Sequence, residues 1–189
     1  LSGTSNSVNN TPSPSSTLGS YSSKGKLISA ATTNATSVKN SATNIGKITA
    51  ENVSASIRYL KLYDKASAPT VGTDTPFHTF ALSPSSQRVL DFPQGLRLTT
   101  GFAFAITGAI ADTDTTAIAA NDVIINYETT DMYKFKSDCS ERWAKLRDQL
   151  PIESGVVVAE TETDGVKYAT LIFDGYGEVI NVPFFELEQ

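Results

Sequence analysis

Side chains that could carry out chemistry are few in this chain of 189 residues. The single histidine, His78, removes most zinc sites and most Ser/His/Asp arrangements. The single cysteine, Cys139, excludes an intrachain disulfide and cysteine-rich metal sites. His78 stands between Phe77 and Phe80 in a predicted strand, where we expect an edge or surface residue.

Two aspartates, Asp112 and Asp114, form the only close pair of carboxylates in the central part of the chain, with Asn121 and Asp122 a few residues on. Alternating oxygen ligands of this kind can hold calcium. The turn glycine and final glutamate of an EF-hand are missing, however, so we predict that these side chains bond their own backbone. A glycosidase would also need two carboxylates at a defined separation.

Acidic residues of the C-terminal part are too evenly spread to single out a catalytic pair, so we expect a solvated face. They are Glu160, Glu162, Glu178, Glu186 and Glu188. Cys139 lies near a predicted helix start, where a thiolate would be stabilised, but a packed and unreactive thiol is the commoner case. The sequence therefore predicts no catalytic residue, no cofactor and no metal ligand.

The net charge and the hydropathy of the chain limit the classes of partner that it can bind. Fifteen basic and twenty acidic residues give a net charge of −5, which does not favour nucleic-acid binding. No apolar run approaches the length of a membrane span. Asn34 and Asn52 fit the N-glycosylation pattern, but we expect both to be polar strand ends.

The elements that would position these residues are short β-branched and aromatic runs bounded by Pro, Gly, Ser or Asp. They are Ile57–Tyr63, Phe77–Leu82, Arg88–Phe92, Leu96–Thr107 and Val123–Tyr127. This pattern predicts a mainly β protein, an antiparallel β-sandwich of jelly-roll-like type. Leu96, Leu98, Phe102, Phe104 and Ile106 alternate with small or polar residues, which predicts one strand over this run. On the first run, Arg58 and Lys61, with Lys65 just beyond it, are expected on the solvent side.

Composition divides the chain into three parts. Residues 1–25 are Ser/Asn-rich and are predicted to form a flexible arm, residues 26–131 the sandwich, and residues 132–189 a small α+β domain. In the last part, Asp138 and Glu141 predict a capping box. Trp143, Leu146 and Leu150 then lie on one helix face, against a three-stranded meander with an Asp164-Gly165 turn.

Segments Arg58–Ala66, Ala68–Pro76, Thr100–Gly108 and Ala111–Ala117 carry a family resemblance. In this order they resemble a β-sandwich module of tailed-bacteriophage virion proteins, over roughly residues 33–128. The resemblance implies a structural virion component of the head-decoration or tail-associated type, with no catalytic residues. It does not cover the N-terminal arm or residues 132–189.

Three classes of function follow. The first is a capsid decoration (cement) protein, assembled into the virion in the host cytoplasm, with a tail, neck or fibre component as the close alternative. Its partners would be the major capsid protein or other virion proteins, and further copies of itself, since a trimer would suit capsid three-fold sites. The second is a receptor- or glycan-binding module that uses Tyr63, Tyr127 and Tyr176 as stacking residues. The third is an enzyme such as a polysaccharide depolymerase, which would rely on Asp112 and Asp114.

Overall fold

The computed structural model describes residues 23–150, 155–173 and 177–189. In these residues the chain forms twelve β-strands, one α-helix and a 3₁₀ turn at Phe184–Glu186. The strands are β1 (Ser23–Ile28), β2 (Thr36–Lys39), β3 (Thr43–Asn52), β4 (Arg58–Asp64), β5 (His78–Leu82), β6 (Ser86–Leu98), β7 (Phe102–Thr107), β8 (Val123–Phe135), β9 (Gly155–Thr163), β10 (Val166–Phe173), β11 (Gly177–Pro183) and β12 (Leu187–Glu188). The helix, α1, spans Glu141–Arg147.

The first eight strands form two antiparallel sheets. One sheet has the order β1-β8-β3-β6, and the other has the order β2-β7-β4-β5. Successive strands change sheets at every step except from β4 to β5, which form a hairpin in the smaller sheet. These orders produce two Greek keys, which is the winding of a double-sheet jelly roll. The predicted mainly β, jelly-roll-like sandwich is confirmed.

Apolar side chains from both sheets fill the space between them. Fully buried members are Ile45, Ile48, Leu60, Leu62, Phe102, Phe104, Ile106 and Val123. Tyr127 packs its ring edge against Phe102 and Phe104, with centroids 6.0 and 6.1 Å apart. Gly25 lies beside Tyr127 on the neighbouring strand, and a Cβ there would overlap the tyrosine ring. Because Gly25 of β1 has no side chain, there is room for the aromatic cluster.

The prediction of one strand over Leu96–Thr107 is wrong. Leu96 and Leu98 belong to β6 in the larger sheet, whereas Phe102–Thr107 form β7 in the smaller one. The chain crosses between the sheets at residues 99–101. The apolar positions have the same parity on both sides of the crossing, so the two strands resemble one interrupted strand in the sequence.

A carboxylate from β4 holds this crossing. Asp64 Oδ1 accepts hydrogen bonds from the backbone nitrogens of Thr100 (2.8 Å) and Gly101 (3.1 Å). Its Oδ2 accepts from the Thr99 nitrogen and hydroxyl, both at 3.0 Å. Partial burial alone would raise the pKa of Asp64, but these hydrogen bonds outweigh it and hold the pKa below its ordinary value.

The predicted boundary at residue 131 falls inside a strand. β8 pairs with β1 and β3 through residues 123–131 and then with β9 at Met132 and Tyr133. The meander β9-β10-β11 is thus hydrogen-bonded to the same strand as the sandwich. Whether residues 132–189 fold as a separate domain remains a prediction.

The C-terminal part has its own apolar cluster. Phe135 stacks between Trp143 and Phe173, with centroids 5.7 and 5.9 Å away. Leu146 and Leu150 pack against the same cluster, as the helical spacing predicts. The predicted N-cap, Asp138, is wrong: the N-cap is Ser140, whose side chain makes no capping hydrogen bond. The Asp164-Gly165 turn is confirmed, with both residues at positive φ.

Strand β1 begins at Ser23, inside the segment assigned to the arm. The segment Ser23-Lys24-Gly25 has low strand propensity, and it is its pairing with residues 127–129 of β8 that makes it part of a sheet. Residues 1–22 lie outside the described part of the chain.

Replacing Asp64 tests the role of the crossing. We expect Asp64→Asn to lower the free energy of unfolding at pH 7 by about 1 kcal/mol, the low end for hydrogen bonds to a charged group, because solvent screens this exposed carboxylate. Because the folded pKa is lowered, the carboxylate's contribution is complete above about pH 4 and disappears as the pH falls further.

Urea unfolding of wild type and Asp64→Asn between about pH 7 and pH 2 measures this difference. The two stabilities should converge in acid. Asp138→Asn, at an exposed position of the C-terminal part, is the matched control. A difference that stayed constant down to pH 2 would contradict a role for the ionised carboxylate.

Candidate interaction surface

The two outer faces of the sandwich differ. On the smaller sheet, β4 and β7 turn Tyr59, Lys61, Tyr63, Ala103, Ala105 and Thr107 away from the core, and most of these are nevertheless buried. The loops at residues 65–77 and 108–118 cover them. Gly72 of one loop lies against Thr113 and Thr115 of the other, so the two loops meet over the sheet.

Lys61 is buried under this cover, contrary to its predicted place on the solvent side. Its Nζ donates to the Ala111 carbonyl oxygen at 2.6 Å and lies 3.5 Å from that of Asp114. Burial lowers the pKa of Lys61, against the opposing effect of nearby Asp114 and Asp112. The small side chain of Ala105, its partner on β7, leaves room for it. Lys61 therefore binds a loop to the sheet.

Tyr63 is buried beside Lys61 and packs with Ala103, Ala105 and Val71. Its hydroxyl has no hydrogen-bond partner among the described residues. Burial raises the pKa of Tyr63, and the charges of Asp112 and Asp74 add to the rise. Tyr63 is therefore not available for stacking on a glycan.

Tyr127, the second predicted stacking residue, does not provide a platform either. Tyr127 is half-buried inside the sandwich against Phe102 and Phe104. Tyr176 lies outside the described residues. The glycan hypothesis thus loses Tyr63 and Tyr127 as ligand-stacking residues.

The aspartates of the second loop serve its own conformation. Asp114 accepts hydrogen bonds from the Ala109 nitrogen (3.0 Å) and the Thr116 hydroxyl (2.7 Å). Slight burial would raise the pKa of Asp114, but these bonds lower it overall. Asp122 accepts a hydrogen bond from the Ala119 nitrogen at 3.2 Å and also pairs with Arg58 at 2.6 Å, where both side chains are mostly buried. Asp112 is exposed. The predicted self-bonding loop is confirmed for Asp114 and Asp122.

Within residues 23–150, 155–173 and 177–189, no group of three or more His, Cys, Asp or Glu residues could hold a metal ion. His78 is exposed at the start of the edge strand β5 and contacts Phe80, with centroids 4.3 Å apart. This matches the predicted edge position.

Two further candidates occupy structural places. Cys139 is partly buried against the C-terminal cluster, with its Sγ 3.9 Å from Arg147 Nη1. Glu186 is buried, contrary to the predicted solvated face, and accepts a hydrogen bond from the Ser140 nitrogen at 3.0 Å. It thereby ties the 3₁₀ turn to the start of α1. Glu160, Glu162 and Glu188 are exposed as predicted, and the side chain of Glu178 lies outside the description.

Both asparagines of the glycosylation patterns are buried and used by the fold. The Asn34 side chain bonds the backbone of Ala30 in both directions, at 2.8 and 3.1 Å. Asn52 donates to the carbonyl oxygens of Ser56 and Leu82, both at 2.9 Å. They are polar residues at strand ends and turns, as expected.

The outer face of the larger sheet carries no such cover from the described residues. Three rows of side chains cross strands β1, β8, β3 and β6 in register. The rows are Ile28-Ile124-Glu51-Gln87, Lys26-Asn126-Thr49-Val89 and Lys24-Glu128-Lys47-Asp91. All twelve are exposed or half-buried. We call this set the open face.

The open face combines apolar and charged groups. Ile28 and Val89 are each 51% exposed, at opposite sides of the four strands. The third row alternates in sign, from Lys24 through Glu128 and Lys47 to Asp91. Lys24 Nζ lies 3.7 Å from Glu128 Oε1 within the chain. Side chains in this arrangement can bind a surface, but they do not form a cleft for chemistry.

No protein-family model matches the chain, and no curated protein matches it. Among solved structures, it is similar to the Tobacco streak virus coat protein in a C2 crystal form, with a TM-score of 0.28 and 15% identity over 59% of this chain and 90% of that one. A dimer of the same coat protein gives a TM-score of 0.25 and 14% identity, over 56% and 84% of the two chains. The assignment of the fold comes from the strand order and not from these similarities.

None of the helices in the described residues has the length and apolar character needed to cross a membrane.

The bond from Lys61 to the loop gives a second prediction. Because Lys61→Met removes the donor to Ala111, we expect amide hydrogen exchange in residues 109–117 to rise about tenfold, or about 1.4 kcal/mol of local opening. Core amides of β3 and β8 should keep their protection. Hydrogen exchange measured by mass spectrometry tests this.

Lys26→Met, on the open face, is the control and should leave the same loop unchanged. Equal exchange in Lys61→Met and wild type would show that the ammonium group does not hold the loop.

Proposed function

We propose that this protein is a non-enzymatic structural component of a virion, and specifically a decoration protein bound to the outer surface of a tailed-phage head. Its partners in this proposal are the major capsid protein and further copies of the same chain. It is assembled into the particle in the host cytoplasm.

The observation that carries the proposal is the strand order of the sandwich. Jelly rolls with the orders β1-β8-β3-β6 and β2-β7-β4-β5 are widely used in viral capsid proteins. A fold alone does not define a function, since lectin domains and cupins share this architecture. The family resemblance over residues 33–128, described above, favours the virion within that set.

The fate of the candidate chemical groups supports a role without catalysis. The side chains of Asp114, Asp122 and Lys61 form hydrogen bonds with loops and strands of the same chain. Apolar residues fill the space between the sheets. The open face is the extended surface that the described elements leave for a partner.

Binding to capsids is the direct test. We expect the purified chain to co-sediment saturably with expanded phage heads that lack it, and not with tails. The plateau would give a copy number set by the symmetry of the shell. Heat-treated heads with bound protein should also retain their DNA to a higher temperature than bare heads.

Binding to tails alone would favour a tail, neck or fibre component. Binding to neither particle, or assembly of the chain by itself into shells, would overturn the decoration role. For the enzyme alternative, the double variant Asp112→Asn/Asp114→Asn should bind heads like wild type, and neither form should hydrolyse host polysaccharide.

Removing the N-terminal segment gives a separate prediction. We expect deletion of residues 1–22 to change the melting temperature little, because their Ser-rich composition offers little apolar surface to bury. It should weaken attachment to heads. Deletion of residues 1–28, which also removes β1, is the comparison and should destabilise the sandwich strongly.

Calorimetry and head co-sedimentation of both truncated forms decide the point. A large loss of melting temperature on removing residues 1–22 would show that the segment belongs to the folded core.

A further inference from the structure

We propose that the open face is a self-association surface, on which two copies of this chain pack sheet against sheet around a two-fold axis that runs parallel to the strands. The inference concerns the isolated protein and does not depend on the virion role.

The contrast between the two outer faces is the first support. Loops bury the outer residues Lys61 and Tyr63 of the smaller sheet almost completely. On the larger sheet the corresponding surface exposes Ile28 and Val89 by half, together with half-buried Ile124. Exposed apolar groups on the outer face of a sheet favour burial against a second sheet at a spacing of about 10 Å.

The charged row is the second support, and it selects the symmetry. In the order β1, β8, β3, β6 the row has the signs plus, minus, plus, minus, from Lys24, Glu128, Lys47 and Asp91. A two-fold axis along the strands, midway between β8 and β3, reverses this order in the second copy. Lys24 then faces Asp91 of the other copy, and Glu128 faces Lys47, so all four contacts join opposite charges.

Other arrangements lose this complementarity. A two-fold axis in the plane between the two sheets, but perpendicular to the strands, places every strand opposite the same strand of the second copy. When the charged row lies on this axis, Asp91 faces Asp91 and Lys24 faces Lys24. Like charges in direct opposition are unfavourable. The middle row fits the parallel axis as well, because the aliphatic part of Lys26 would cover Val89 of the second copy. In the remaining row the axis places Ile28 over Gln87 and Ile124 over Glu51, so the methylene groups of the two polar side chains would cover the isoleucines.

The area of the open face determines the affinity that we expect for the dimer. Four strands about 4.8 Å apart and three rows about 6.8 Å apart give roughly 400 Å² per copy. Stable interfaces bury about 800 Å² per partner. We therefore expect a weak dimer, with a dissociation constant in the micromolar range or above, that forms at high local concentration.

A charge exchange between copies tests the pairing. In Asp91→Lys, the new lysine would face Lys24 of a second copy, and in Lys24→Asp, the new aspartate would face Asp91. Each variant alone should therefore be monomeric. In an equimolar mixture, a dimer can form from one copy of each variant. The Asp91→Lys copy has lysine at positions 24 and 91, and the Lys24→Asp copy has aspartate at both, so every contact again joins opposite charges.

Sedimentation velocity of the full-length chain from about 10 μM to about 1 mM is the measurement. We expect wild type to dimerise with concentration, less so as salt rises from about 50 to about 500 mM, since exposed ion pairs are screened. Each variant should stay monomeric, and the mixture should form a 1:1 dimer, identified by native mass spectrometry. Lys167→Asp, exposed on β10, is the control and should behave as wild type.

Thermal unfolding at low concentration separates misfolding from lost pairing, and the neutral variant Lys24→Ser replaces Lys24→Asp if the latter melts early. With Lys24→Ser, the dimer should weaken without reaching the dissociation caused by Asp91→Lys. A monomeric wild type at all concentrations, a trimer, self-association of the single variants, or a mixture that fails to pair would each overturn the proposal. Co-sedimentation of wild type with heads, at a concentration at which the chain is monomeric, tests the virion role without any change to the open face, so the two proposals fail independently.

Discussion

One strand, β8, determines how the rest of the molecule is arranged. Its thirteen residues hydrogen-bond to β1 and β3 in the first part and to β9 and β12 in the second. Ile125 contributes to the core of the jelly roll, and Phe135 lies at the centre of the C-terminal cluster. Because backbone hydrogen bonds continue along the whole strand, the larger sheet extends without interruption into the C-terminal meander.

The smaller sheet depends on a different constraint, which is polar and local. Asp64 closes the turn that carries the chain from β6 to β7, and Lys61 on the same strand binds the loop that follows β7. Both charged side chains therefore act on chain segments more than 30 residues away. A covered outer face on one sheet and an open face on the other are the result.

The sequence was sufficient for the strands and the class of fold, because alternation and turn residues are local signals. Prediction from the sequence failed where contacts between residues distant in sequence determine the local structure. The apolar positions keep the same parity before Thr99 and after Gly101, and the side chain that holds the turn is Asp64, 35 residues before Thr99. Lys61 has the residue type of a solvent position, and only the loop at residues 108–118 makes it buried. The small residues Ala103 and Ala105 on β7 were the available sign that bulky groups pack over that face.

The same distinction applies to the candidate sites. The spacing of Asp112 and Asp114 suggested calcium binding or catalysis. In the structure, however, Asp114 accepts hydrogen bonds from backbone and hydroxyl donors of its own loop. No spacing rule could have found the open face, since its charged row unites four strands whose order is set by the winding of the jelly roll. Lys24 and Asp91 are 67 positions apart in sequence, yet they occupy the two ends of one row. Interaction surfaces on sheets of this kind become visible only once the strand order is known, whereas the elements that build them can be predicted one by one.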